Sequence, residues 1–229
     1  DKDSFIWLNE YTQSFVERDL PLHGVSLSPV TLIRFWTMLA HYHGQIFNAS
    51  EIARSLGISV MTVKRYLDVL TGVFMVRQLQ PWYANIKKRQ VKAPKIYFYD
   101  TGILHALLGI KSNKDLFRHP KYGASWEGFV LEEVIRSVDP HEVYYWATHQ
   151  GAEIDLVFNK GGRMYGVEIK RQDAPRMTPS IKNALEDLKL ERIVVIYPGK
   201  RRYSVHKKVD VVPFDEIQGG MKGLFKEAK

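Results

Sequence analysis

Apolar positions recur at helical spacing from the start of the chain. Phe5, Ile6, Leu8, Tyr11, Phe15 and Val16 share one face of a helix predicted over 4–19. A second helix is predicted over 29–43, with Pro29 in its first turn and Leu32, Ile33, Phe35, Trp36, Leu39 and Ala40 packing. Residues 48–70 read as two short helices. Ile52, Ala53 and Leu56 line the first, and Gly57 closes it in the left-handed conformation that glycine tolerates. Ser59 caps the second, whose stripe is Val63, Leu67 and Leu70, leaving Met61, Thr62, Lys64, Arg65 and Asp68 outward. Extended segments are predicted at 73–79 and 95–99, either side of a basic stretch at 85–92. Asp100 is placed to cap a short helix running through Leu108.

Polar residues 111–121 read as a linker. Beyond them a helix carries Trp126, Phe129, Val130, Glu133, Val134 and Ile135 and ends before Asp139-Pro140. Strands follow at 143–147, 152–158 and 166–170, then a helix over 179–190 with Ile181, Leu185 and Leu188 inward. Residues 192–197 are a fully buried strand type, and Val205 and 209–212 are read as edge strands. The predicted class is α/β: a helical domain over 1–110 with a winged helix-turn-helix, then a small mixed sheet flanked by helices over 111–229.

The hairpin at 153–170 carries the candidate chemistry. Asn159-Lys160-Gly161-Gly162 is turn chemistry between two strands. Glu168 and Lys170 are two apart and leave one face of a strand, while Val167 and Ile169 leave the other. A turn centred there sets Asp155 directly or diagonally across from Glu168, with carbons roughly 4.5–8 Å apart. Two carboxylates that close repel unless a cation lies between them, and Mg²⁺ (or Mn²⁺), at about 2.0–2.1 Å from each oxygen, fits. Lys170 would then neutralise a phosphate or orient a water. An ordinary hairpin with surface charges is the competing reading.

Composition sharpens this picture. The net charge of +8 is uneven: residues 1–46 sum to −2, 47–110 to +6 and 111–229 to +4. A basic middle segment attracts phosphate backbones, although a solvated basic face has the same composition. Met61, Thr62, Lys64 and Arg65 on the second short helix, with Lys87, Lys88 and Arg89 at the tip of the wing, are the candidate nucleic-acid contacts, and duplex DNA the expected partner. Winged helices also serve as protein-contact modules. There is no cysteine, which excludes disulfides and thiolate metal sites. No apolar run approaches the roughly 20 residues of a membrane span, and a cytoplasmic setting is expected. The two histidines of His41-Tyr42-His43 diverge by about 200° on a helix and do not converge on a metal. No Gly-rich phosphate loop or nucleophile elbow is present.

The hairpin resembles the PD-(D/E)xK nuclease superfamily. The resemblance implies a site of Asp155, Glu168 and Lys170, with Glu127 as the acid contributed by a preceding helix, and Mg²⁺ held by Asp155 and Glu168. Ile154 stands where the superfamily's namesake proline would be. A charge complementing its helix dipole is the plainer role for Glu127. The whole layout also resembles the C-terminal part of a family of prokaryotic AAA-type ATPases. The residues that carry this are Glu17-Arg18-Asp19-Leu20, Phe98-Tyr99-Asp100-Thr101-Gly102, Trp126-Glu127-Gly128-Phe129-Val130, Tyr145-Trp146, Glu153-Ile154-Asp155 and Val167-Glu168-Ile169-Lys170. That resemblance implies an N-terminal ATPase domain outside this chain, and no ATP hydrolysis by the chain alone. Nuclease and catalytically silent binding module are both compatible with these motifs.

Overall fold

The computed structural model describes residues 2–24, 28–82 and 93–226. The chain divides into two compact units, Asp1–Gln78 with Lys95–Gly128, and Leu79–Pro94 with Phe129–Lys229.

In the first unit, α1 (Lys2–Ser14) runs through a π turn at Phe15–Asp19 into α2 (Leu20–Leu22), so the helix expected over 4–19 is helical but not uniformly α. Trp7, Tyr11 and Phe15 stack in sequence at centroid separations of 5.5 and 6.0 Å, and Phe15 leans on Trp36 at 5.3 Å. α3 (Pro29–His41) is capped by the Ser28 hydroxyl, which accepts from Thr31 N–H, and buries Leu32, Phe35, Trp36 and Leu39. The two short helices are α4 (Ala49–Leu56) and α5 (Val60–Gly72). Gly57 ends α4 at φ 66°, and Ser59 caps α5. Val63, Leu67 and Leu70 are buried as expected, and Tyr66 joins them. The buried stripe is therefore wider than the sequence predicts, because position 66 lies one helical turn from both Val63 and Leu70.

β1 (Gln45–Ile46) pairs antiparallel with β3 (Lys95–Phe98), and β2 (Val76–Pro81) is the neighbour of β3. The strand expected from Val73 begins only at Val76. Phe74 takes φ 58°, and Met75 N–H reaches back to the Leu70 carbonyl at 2.9 Å, which is how a helix terminates. The basic tip at 85–92 lies outside the described residues. Asp100 caps α6 (Thr101–Leu107) by accepting from Gly102 and Ile103 N–H. The segment expected as a linker contains α7 (Asn113–Arg118), which buries no residue and therefore looks polar in sequence. α8 (Tyr122–Val138) follows.

The second unit is α/β, a mixed sheet flanked by helices. Residues 80–81 of β2 pair parallel with β4 (Val143–Ala147), which pairs antiparallel with β5 (Glu153–Lys160). β6 (Arg163–Ile169) is antiparallel to β5 and parallel to β7 (Arg192–Tyr197). β8 (Tyr203–His206) is the outer strand, antiparallel to β9 (Val209–Pro213). β9 was expected at the edge, but it lies between β7 and β8 and is buried along its length. Val209, Val211 and Val212 therefore belong to an interior strand. The crossover from β6 to β7 is α9 (Pro179–Asp187), whose Ile181 and Ala184 pack with Leu188 against Ile193, Val195, Val209 and Val211. α10 (Gly220–Leu224) ends near Arg202, whose guanidinium donates to the carbonyls of Gly223 and Leu224. Phe225 packs edge-on against Phe158 and Tyr165, at centroid separations of 5.9 and 4.8 Å. Among the described residues no helix is long and apolar enough to cross a membrane.

Candidate carboxylate site on the hairpin

The turn between β5 and β6 puts Gly161 at φ 60° and Gly162 at φ 76°, the two left-handed positions of a two-residue hairpin loop. It fixes the register from Lys160 opposite Arg163 to Leu156 opposite Val167. On the other side of β5 the register slips. Tyr144 faces Val157 while Trp146 faces Ile154, so Tyr145 alone opposes Asp155 and Leu156. This is a β-bulge, a device that re-aims side chains and ends regular pairing. At the bulge the Asp155 Oδ2 accepts the Ile169 N–H at 2.8 Å, so a side chain takes a backbone donor of β6.

The sequence-predicted trio is brought together here. Asp155 is 6% exposed and Glu168 4% exposed. Lys170 Nζ lies 2.5 Å from Glu168 Oε1. The second oxygen, Glu168 Oε2, is buried without a hydrogen-bond partner. Burial first, and the charge of Asp155 second, push the Glu168 carboxyl up to about 8; Lys170 opposes the shift and Glu153 adds to it. Glu153, which in the sequence carries only a family resemblance, has no part in the predicted site. It stands two before Asp155, the same alternation that linked Glu168 to Lys170, and that spacing was the available signal.

Asp155 and Glu168 are the two carboxylates that could hold a hard divalent cation. An orphaned carboxylate oxygen is costly in a buried setting, and a cation would answer both that oxygen and the Asp155–Glu168 repulsion. The protein donors are few: among the described residues no group of three or more His, Cys, Asp or Glu side chains is placed to hold a metal ion.

Glu127 belongs to the first unit. Its Oε1 accepts from the Tyr97 hydroxyl at 2.5 Å and lies 3.6 Å from Lys95 Nζ, itself buried. Beside it His43 is fully buried. Its Nδ1 accepts from Phe98 N–H at 3.0 Å, and its Nε2 stands 3.1 Å from the Ala124 carbonyl, so the neutral Nε2–H tautomer satisfies both. Burial is the main cause that lowers the imidazole to about 3.

On α5, Met61 is 81% exposed, and Lys64 is exposed as well. The Thr62 hydroxyl is 2.8 Å from that of Ser59 and takes part in the cap. Arg65 bends back: its Nη2 donates to the Gly24 carbonyl at 2.5 Å, with the guanidinium 6.0 Å from the centre of the Tyr66 ring. Lys87, Lys88 and Arg89 lie outside the described residues.

Residues 1–114 match the model of DUF8612, a domain of unknown function. Residues 122–217 match DUF4143, a domain of unknown function found in AAA-ATPase-associated proteins. Two curated relatives, the uncharacterised proteins Mb2031c of Mycobacterium bovis and Rv2008c of Mycobacterium tuberculosis, are each 51% identical over 216 residues, which is 94% of this chain and 49% of theirs. The chain thus spans about half the length of these relatives. No solved structure matches.

Proposed function

We propose that Asp155, Glu168 and Lys170 form a PD-(D/E)xK-type site for metal-dependent hydrolysis of nucleic-acid phosphodiesters. The chain would be the C-terminal part of an AAA-type ATPase, and α4 and α5 the helix-turn-helix of a winged helix that contacts duplex DNA. The observation that carries the reading is the buried Glu168 Oε2, left without a partner beside a second carboxylate. Asp155 and Glu168 would hold Mg²⁺ or Mn²⁺, with the Ile169 carbonyl able to add a ligand. The ion would supply activation of a water nucleophile. Lys170 balances charge on the scissile phosphate, and Asp155 is held in position by Ile169 N–H. In calorimetry, Mg²⁺ or Mn²⁺ gives binding heat that vanishes in Asp155→Asn, and Asp155→Ala abolishes DNA cleavage while the far-ultraviolet circular dichroism is kept. Cleavage that survives Asp155→Ala removes this site from consideration.

A second reading, a catalytically silent DNA-binding or partner-binding module, draws on a separate observation. Each carboxylate already has a protein partner: Ile169 N–H for Asp155 and Lys170 for Glu168. On that reading the protein retards duplex DNA with a steep salt dependence, cuts with no divalent ion, and loses binding in Lys64→Glu with Arg65→Glu. Since Arg65 is tied to Gly24, most of that loss is expected from Lys64.

A further inference from the structure

We propose that the two loops leaving the carboxyl ends of β6 and β7 form a preset track for a nucleic-acid phosphate backbone, with Arg176, Lys200 and Arg201 as its cations. The inference rests on the phosphodiester reading of the neighbouring carboxylates, and it places the contact on the second unit itself rather than on α5.

The placement follows from topology. β6 and β7 are parallel, with Ile169 opposite Ile196, and Lys170 N–H donates to the Ile196 carbonyl at 2.9 Å. Residues 170–178 and 198–202 therefore leave at one end of the sheet, the end at which Glu168 and Lys170 lie. In sheets of this kind ligands gather outside the carboxyl ends of parallel strands. The first loop carries Lys170, Arg171 and Arg176 against a single acid, Asp173; the second carries Lys200, Arg201 and Arg202 and no acid. Lys170 is engaged by Glu168 and Arg202 by Glu216. Arg176, Lys200 and Arg201 are exposed.

Both loops are fixed by tyrosines. The Tyr197 hydroxyl donates to the Arg201 carbonyl at 2.6 Å and accepts from Arg201 N–H at 3.0 Å. The loop wraps the ring so closely that a Cβ on Gly199 would stand 2.1 Å from it. The Tyr203 hydroxyl donates to the Pro175 carbonyl at 2.8 Å, which ties the first loop to β8. The Tyr197 and Tyr203 rings meet edge-on at 6.1 Å, and the charge of Arg176 acts on the Tyr203 hydroxyl. The cations thus project from backbone that is already ordered, so less entropy is lost when a phosphate binds. A polyanion whose phosphates reach a cation-hungry carboxylate pair fits this arrangement better than a lipid surface does.

The test is fluorescence anisotropy of the whole chain with duplex and single-stranded oligonucleotides, in EDTA, across a KCl series. Arg176→Glu with Lys200→Glu and Arg201→Glu is expected to weaken binding at least ten-fold at 0.1 M salt and to flatten the slope of log affinity against log salt by roughly 2.1–2.7, as expected for three lost phosphate contacts at roughly 0.7–0.9 each. The neutral set, Arg176→Gln with Lys200→Gln and Arg201→Gln, flattens the slope equally and carries the test if reversed charge prevents folding. Unchanged affinity and slope in the variants overturn the track, as does binding by the wild type to anionic vesicles but to no oligonucleotide. Metal heat and cleavage are read separately. Their survival in Asp155→Asn sinks the hydrolytic reading and leaves the track standing, whereas a failed track leaves metal binding at Asp155 untouched.

Discussion

Gly128 shows how a single residue can carry more constraint than its motif suggests. In Trp126-Glu127-Gly128 the acid attracts notice, yet a Cβ built on Gly128 would stand 2.2 Å from His43 Nε2 and 3.2 Å from the Tyr97 ring. His43 is fully buried, so it has little room to yield. Gly128→Ala should therefore cost about 3 kcal/mol or more, by overpacking and by breaking the His43 hydrogen bonds; chemical denaturation measures it. His43 also sets a pH dependence. Its folded pKa of about 3 lies below the ordinary value of 6.5, so its contribution to stability is present above 6.5 and is lost as pH falls toward 3. Melting temperatures followed from pH 7 to 4 should decline, and His43→Gln should remove part of that decline. Glu168 is the opposite kind of residue, a buried carboxylate kept beside another. Glu168→Gln should stabilise the metal-free protein at pH 8 to 9 by about 1 kcal/mol, the pattern of a site maintained against stability. None of these environments was legible from the chain. Spacing placed Asp155, Glu168 and Lys170 together, but burial of the His43 ring depends on contacts 55 and 81 residues away.

At the scale of elements, sequence reading succeeded where local chemistry decides and failed where neighbours decide. Ser59, Gly57 and Asp100 announced helix ends and act as such. The Gly161-Gly162 turn was equally plain. The end of α5 was not, because Phe74 occupies a left-handed position without the usual glycine. Phe74 is 72% exposed and touches the Tyr99 ring edge-on at 6.0 Å. Relief of the backbone penalty outweighs that contact, so Phe74→Gly should raise stability by about 0.5–1 kcal/mol in urea denaturation. β9 is interior rather than an edge for the same kind of reason: its place between β7 and β8 is set by pairing, not by Val209-Asp210-Val211-Val212 itself. Asp210 is buried but answered, by Arg192 at 2.8 Å and by the Ser204 hydroxyl at 2.6 Å. The bulge that presents Asp155 has no local signature either, since it exists only in the pairing of β5 with β4.

For the molecule as a whole, net charge is densest in the middle segment, at +6, with a further +4 over 111–229. The fold redistributes that signal. Arg65 is drawn back onto Gly24, while Arg176, Lys200 and Arg201, distant in sequence, are presented from loops at one end of a sheet. The two family matches, 1–114 and 122–217, cover nearly the whole chain and meet in the polar stretch around α7. The aromatic surface of Phe158 and Tyr165 is covered by Phe225, and Arg202 waits for the carbonyls of Gly223 and Leu224. Nascent chains stalled with β9 already outside the exit tunnel but Phe225 still within it should remain open to protease, then become resistant once Phe225 emerges and closes the seam.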